Sequence, residues 1–370
     1  MRAQVVLGLG YGDEGKGLTT AFLVSKAKNP AVIRFNGGHQ AGHTVVKDGI
    51  SHVSSSYGSG VLYGALTYIM NSCVIYPRAI INENHVLKSK MKVIPPLHVH
   101  PFTPVTTPFE LMVNQKMEEL RGTKRHGSVG VGFGETLQRE ENHYHLFAQD
   151  LLFPSILKLK LKNIQENCYP NFDFGREKMD EFLEECRKTA EIIKIDNGNN
   201  VFFDYEELIF EGAQGVLLDQ KFGFFPNVTR SNTTSQNINQ FLAALEVVPE
   251  MYYVTRSYVT RHGAGPMLNE DNDILLNNAE KETNKSDPFQ GDLRYGQLDV
   301  EAINYALMCD MQYSSFPTID RHLVVTCMDQ FDLNLAPVLD EIEMNFTSIL
   351  TSHGPEAKHV TDYKPLTISK

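Results

Sequence analysis

Short apolar runs that stop at glycine or polar residues set the rhythm of this chain. Residues 3–9, AQVVLGL, form one such run, and residues 31–35, AVIRF, form a second. Each reads as a short buried strand. Between them lie a glycine-rich loop, GLGYGDEGKG (8–17), and a helical stretch over Leu18–Lys26. Strand, glycine loop, helix, strand is the opening of an α/β fold with a parallel sheet. Similar apolar runs recur at 201–210 (VFFDYEELIF), 251–260 (MYYVTRSYVT) and 322–329 (HLVVTCMD). Their polar or glycine-bearing ends place candidate ligand contacts at the carboxyl ends of sheet strands.

The middle of the chain changes period. In 176–195, Met179, Phe182, Leu183, Cys186, Ala190 and Ile193 recur at three- and four-residue intervals. That spacing predicts an amphipathic helix packed on the core, with Cys186 as a core residue. DNGNN (196–200) predicts a turn before the next strand. The most polar stretch, 269–292, predicts a loop-rich excursion. Neither an internal repeat nor a low-complexity linker interrupts the chain. The expectation is one domain over 1–370, with a P-loop-like, mostly parallel central sheet, flanking helices and helical insertions.

Composition narrows the function classes. The 370 residues are 42% hydrophobic, enough for a large core. The 34 basic and 45 acidic residues give a net charge of −11, against a nucleic-acid binder. Cys73, Cys168, Cys186, Cys309 and Cys327 lie far apart, with no C-x-x-C pair. Neither a zinc site nor a disulfide framework is expected, and a reducing, cytoplasmic setting fits. The apolar run at the N-terminus is too short for a signal peptide, and no stretch is long enough to cross a membrane.

The opening loop raises the first chemical question. Gly10, Gly15 and Lys16 fit the phosphate-loop spacing, but Gly17 stands where a Ser or Thr would hold magnesium. Asp13 and Glu14 add two carboxylates to a loop that should attract anions. Asp13 could bind Mg²⁺ and take a proton; the plain alternative is a strand–helix turn with solvated acids. A second segment, NGGHQAGHTVV (36–46), offers His43 as a general acid, since a free imidazole titrates near neutral pH. His39 could be structural. In FEGAQGVLLD (210–219), Gln214 could orient a polar ligand through its amide.

Taken together, these segments resemble the adenylosuccinate synthetase family. GDEGKG (12–17), GGHQAGHT (37–44), FEGAQGVLLD (210–219), VTRSNTT (228–234) and RHGAGP (261–266) look like its signatures. RYGQLD (294–299) and SHGP (352–355) do so more weakly, and the likeness runs from about residue 3 to about 358. That family joins IMP and L-aspartate at the expense of GTP, with Mg²⁺. The resemblance implies that Asp13 removes the N1 proton of the purine and binds Mg²⁺ with the carbonyl of Gly42. It implies that His43 acts as acid during phosphoryl transfer and that Gln214 fixes the 6-oxygen region. Lys16, Gly12, Glu14, Gly15, Gly17, Leu18 and Thr44 would hold the triphosphate, with Asp329, Ser352 and Gly354 around its base. Gln40, Ala41, Ser128, Val129 and Thr229 would hold the monophosphate, with Arg139 reaching in from a partner subunit of a homodimer. Leu218, His262 and Gly265 would lie near the purine or ribose.

Departures from the family pattern mark a compact, divergent member. The loop that usually grips aspartate reads PFQGDLRYG (288–296), in which Arg294 survives, and Gln290 and Gly291 would replace lost arginine contacts. Cys327 replaces a lysine in the base-reading TCMD (326–329), GSVGVGFGET (127–136) replaces the usual monophosphate loop, and His262 stands where an apolar residue is usual. A related branch, the phage enzymes acting on dGMP, tends to replace the loop aspartate with a small hydroxyl residue. Asp13 is intact here, which favours IMP. A nucleotide-binding GTPase without ligase activity is the reading from another class, and Gly17 argues against it.

Overall fold

The computed structural model describes residues 1–122, 125–172, 175–271, 273–277, 289–313 and 319–364. The chain opens with β1 (Arg2–Gly8), α1 (Lys16–Lys26) and β2 (Pro30–Arg34). A hairpin of β3 (His43–Lys47) and β4 (Ile50–Ser54) follows, then β5 (Leu66–Ile69), α2 (Pro77–Lys90) and β6 (Leu97–Val99). Next come α3 (Pro108–Arg121), α4 (Phe133–Glu141), α5 (Pro154–Cys168), α6 (Gly175–Ile192), β7 (Ile193–Ile195) and α7 (Asn199–Asp204). The chain continues through β8 (Glu207–Gly215), α8 (Gln236–Ala244), β9 (Pro249–Arg256), β10 (Val259–His262) and β11 (Leu293–Gly296). It ends with α9 (Val300–Met311), β12 (Arg321–Thr326), α10 (Leu335–Glu341), β13 (Ser348–Ser352) and β14 (Val360–Asp362).

Ten strands form one sheet in the order β14-β13-β12-β9-β1-β8-β2-β5-β6-β7. Every neighbouring pair is parallel except β13 and β14. Both faces of the centre are covered. Val5 and Leu7 of β1 pack with Ile33, Tyr253 and Leu323 on one face. Val6, one residue out of phase, packs with Val32, Val254 and Val324 on the other. Such burial contributes about 1.5–3 kcal/mol per Val or Leu, so the strand that delivers the glycine loop is held on both sides. A second core joins α2, α5 and α6 to the β6 edge through Leu87, Leu97, Leu161, Phe182 and Cys186.

Three boundaries differ from the sequence pattern. The run 201–210 is two elements, because Gly198 takes a left-handed φ of 81° and starts α7. Phe202 then packs edge-on against Tyr68 and Phe241, and the strand begins only at Glu207. An apolar Val-Phe-Phe triplet has no period that separates helix from strand. The run 251–260 is also two strands, and β10 leaves the main sheet to pair antiparallel with β11. In 176–195 the helix stops at Ile192, and Ile193 begins edge strand β7. Of the polar stretch 269–292, residues 272 and 278–288 lie outside the described residues; the described remainder is turns and loop.

Candidate functional site

The loop after β1 answers its own acid pair. Asp13 sits on left-handed backbone, with φ of 60°, between Gly12 and Glu14. That turn separates the two carboxylates. Glu14 folds back and is 4% exposed. Its Oε1 accepts the amides of Gly10 at 2.9 Å and Gly12 at 2.8 Å, and its Oε2 pairs with Lys16. Lys16 is itself buried at the start of α1. Glu14 is therefore the clip that closes the loop. No described residue hydrogen-bonds the Asp13 carboxylate, while Asp13's own carbonyl accepts from Arg256 Nε at the end of β9.

Close packing fixes the loop against neighbouring strands. A Cβ on Gly15, whose φ is 95°, would lie 2.8 Å from Thr326 Cγ2 at the end of β12. The Thr326 hydroxyl donates to the Glu14 carbonyl at 2.7 Å. Gly17 lies so close to His43 and Ser59 that its Cβ would sit 2.7 Å from His43 Cβ. Leu18 follows, half-buried on α1.

His43 starts β3 and is held from below. Its Nδ1 lies 2.6 Å from Oε1 of Glu211, a β8 carboxylate with no exposed surface. Glu211 also accepts the Ser59 amide at 3.0 Å and the Ser59 hydroxyl. Burial alone would raise the Glu211 carboxyl; the His43 ring, Arg34 and the Ser59 hydroxyl overcome it and hold Glu211 at about 2. Burial pushes His43 below its ordinary value, against the pull of Glu211. The pair is thus an ionised carboxylate and a neutral ring whose Nδ1–H donates, and no described group bonds Nε2. Ala41 is buried, Gly42 is exposed, and Thr44 pairs with Val53 in the hairpin.

Beside this loop opens a cleft of about 540 Å³. Gln40, Ser128, Val129, Gln214, Leu218, Thr229, His262 and Gln290 all line it. Gln214 links cleft and loop, since a Cβ on Gly12 would lie 3.7 Å from Gln214 Cα. Gln40 keeps both amide atoms buried without partners, and so does Gln214 Oε1. Buried amides in that state call for a ligand or water. Ser128 Oγ bonds Asn114 at 2.9 Å, and the Thr229 amide donates to Leu218 O at 2.8 Å. His262 bonds the Gly291 carbonyl at 3.1 Å, which ties the 289–292 loop to the end of β10. Gly265, at φ of 115°, lets the chain pass Arg261.

Across the sheet, Asp329, Ser352 and Gly354 gather at the ends of neighbouring parallel strands β12 and β13. Met328 N donates to Ser352 O at 3.0 Å, and Ser352 Oγ donates to Gly354 O at 2.8 Å. Cys327 takes φ of 60° and turns the chain so that Asp329 stays half-buried.

Two arginines are engaged within the chain. Arg139 does not reach outward to a partner; its side chain is fully buried within its own chain. It pairs with Glu110 at 2.7 Å and Glu140 at 2.5 Å and donates to the carbonyls of Val105 and Tyr144. Arg294 pairs with Glu270 and donates to the carbonyls of Gly263 and Gly265, bracing the loop after β10. Sequence reasoning missed Glu211, Ser59, Arg256 and Thr326. Only Glu211 carried a signal, an acid inside the apolar run LIFEGA.

A glycine loop at the carboxyl edge of a parallel sheet, a buried acid–histidine pair and a cleft beside them define a nucleotide-dependent enzyme of the α/β class. Residues 5–331 match the adenylosuccinate synthetase family. The adenylosuccinate synthetase of Psychrobacter arcticus is 32% identical over 320 residues, covering 82% of this chain and 73% of the relative. That of Teredinibacter turnerae is 34% identical over 285 residues, covering 72% and 64%. The chain belongs to the adenylosuccinate synthetase family, ligases that form a carbon–nitrogen bond. Its fold is shared with fully ligated adenylosuccinate synthetase from Plasmodium falciparum, at TM-score 0.78 and 18% identity over 98% of this chain and 100% of that one. It is shared too with the succinoaminodeoxyadenylate synthetase of cyanophage S-2L, solved with dGMP and dATP, at TM-score 0.67 and 18% identity over 98% and 95%.

Proposed function

We propose that this ligase joins IMP to L-aspartate with GTP, through 6-phosphoryl-IMP, giving adenylosuccinate, GDP and phosphate. One observation carries the reading: Asp13, whose carboxylate no described residue hydrogen-bonds, sits between Gly12, which packs against Gln214 of the cleft, and Glu14, which clips Lys16. Asp13 takes the N1 proton, and the 6-oxygen attacks the γ-phosphorus, releasing GDP. His43 supports the charge that develops on the transferred group. The aspartate amine then forms the bond to C6 as phosphate leaves. Gln40 and Gln214 offer the amides that orient the purine. Positioning and charge stabilisation account for such catalysis.

Mg²⁺ fits the donor set, since it is held by one or two carboxylates together with waters and phosphates. Asp13 and the Gly42 carbonyl would hold it, and among the described residues no larger acid or His/Cys group competes. Bound there, it would neutralise charge on the triphosphate. The family likeness supports a cytoplasmic homodimer.

The second reading is the same chemistry on dGMP, favoured by the phage neighbour. Phosphate release with IMP or dGMP, aspartate, and GTP or ATP separates the two. Turnover of dGMP without IMP overturns the first reading. Under either, Asp13→Ala abolishes turnover, and triphosphate hydrolysis that needs neither co-substrate would point to a GTPase instead.

A further inference from the structure

We infer that Arg230 is the cation that takes the acceptor's phosphate, and that it does so by exchanging Glu141 for the ligand. This rests on the cleft being the nucleoside monophosphate site. Arg121, Arg230 and Arg261 line that cleft. All three have partners, so a guanidinium that meets a dianionic phosphate must give up or share one of them. The question is which release costs least.

Arg261 is buried and donates to the carbonyls of Ala264, Pro266 and Asn227 at 3.2, 2.7 and 2.9 Å. It also lies 4.5 Å over the Tyr11 ring. Moving it would orphan three carbonyls and open a hole. Arg121 pairs with Glu118, whose side chain has no exposed surface. Withdrawing it would leave a buried carboxylate without its cation, the expensive case for an ion pair. Arg230 differs. It meets Glu141 at 3.2 and 2.5 Å, but the two side chains are 41% and 57% exposed. An exposed pair contributes little, and a freed Glu141 is simply hydrated.

Position agrees with this ranking. Arg230 directly follows Thr229, and both line the cleft. Glu141 ends α4, of which Phe133, Gly134, Glu135 and Gln138 line the cleft while Glu141 itself does not. Glu141 lies about one helical turn beyond Gln138, so it holds Arg230 from just outside the lining residues of α4. A planar guanidinium can then meet two phosphate oxygens at once. Arg139, buried in its own chain, leaves this role open, and Arg230 fills it within one protomer.

Calorimetric titration of the full chain with IMP, dGMP and inosine tests this. Arg230→Ala should weaken binding of whichever monophosphate the wild type takes by about tenfold or more, the scale of a lost charge-assisted bond. Inosine, which lacks the phosphate, should bind wild type and variant alike. Glu141→Gln should tighten monophosphate binding, because it removes the competing charge. Equal monophosphate affinity in wild type and Arg230→Ala overturns the inference, and so does a parallel loss of inosine binding. A wild type that binds neither IMP nor dGMP overturns the reading of the cleft itself, and this inference with it.

Discussion

Glu211 holds the ring of His43 through a 2.6 Å bond to Nδ1, from a side chain closed off from water. The bond fixes the tautomer and leaves Nε2 without a described partner. Glu211→Gln keeps the shape but removes the charge that favours a proton on the ring. The expected result is a loss of kcat of about 10²-fold, with little change in KM for either nucleotide. Steady-state kinetics check it, and an unchanged kcat would remove the pair from the mechanism.

Glu14 and Lys16 form a buried pair that the loop amides complete. Glu14→Ala leaves the Lys16 charge alone and the amides of Gly10 and Gly12 without an acceptor. Unfolding free energy should fall by about 3–5 kcal/mol, as for other broken buried pairs. The double variant Glu14→Gln/Lys16→Met should recover part of that stability and still fail to turn over. Urea titration of the wild type and the two variants compares their stabilities; full stability in Glu14→Ala would show that the clip contributes nothing.

His39 links stability to pH. Burial holds its ring at about 4, against the bond to the Val131 carbonyl that pulls the other way. Between that value and the ordinary histidine pKa, the unfolded chain carries a proton that the native chain lacks. Stability therefore rises with pH across this window and falls on acidification. Glu211 acts further down: its depressed pKa contributes stability above the ordinary carboxyl value, lost as pH falls toward about 2. Replacing His39 with Gln should flatten the upper part of the curve, and urea midpoints across that window would reveal an unchanged slope if another group is responsible.

Arg139 works inside its own chain. Removing it leaves Glu110, which has no exposed surface, without its cation. Arg139→Met should lower stability by about 3–5 kcal/mol. Mixing Arg139→Ala with Asp13→Ala should restore no activity, because this arginine is engaged within its own chain. Recovered turnover in the mixture would return Arg139 to a shared site.

Much of this protein is legible in one dimension. The strand–loop–helix opening, the apolar runs and the glycine spacings depend on neighbours in sequence, and strict alternation along β1 already sorts Val5 and Leu7 from Val6. The boundaries around 198–207 were not legible, because Gly198's left-handed turn and Phe202's ring contacts decide them. Nor could spacing tell a site arginine from a structural one. Arg294, Arg139 and Arg230 carry the same charge and each pairs with a glutamate; only their burial differs.

The sequence by itself determined that a glycine loop with Asp13, Glu14 and Lys16 would leave the first strand. The tertiary structure decided what each does. A left-handed turn at Asp13 sends two adjacent carboxylates apart, one to clip Lys16 and one to remain unpaired. Parallel pairing of β1 with β8 and β2 with β8 brings Glu211 beneath His43, 168 residues away in sequence. Charge and hydrogen-bonding capacity are written in the residue; the partner that fixes its role is set by which strands the sheet places side by side.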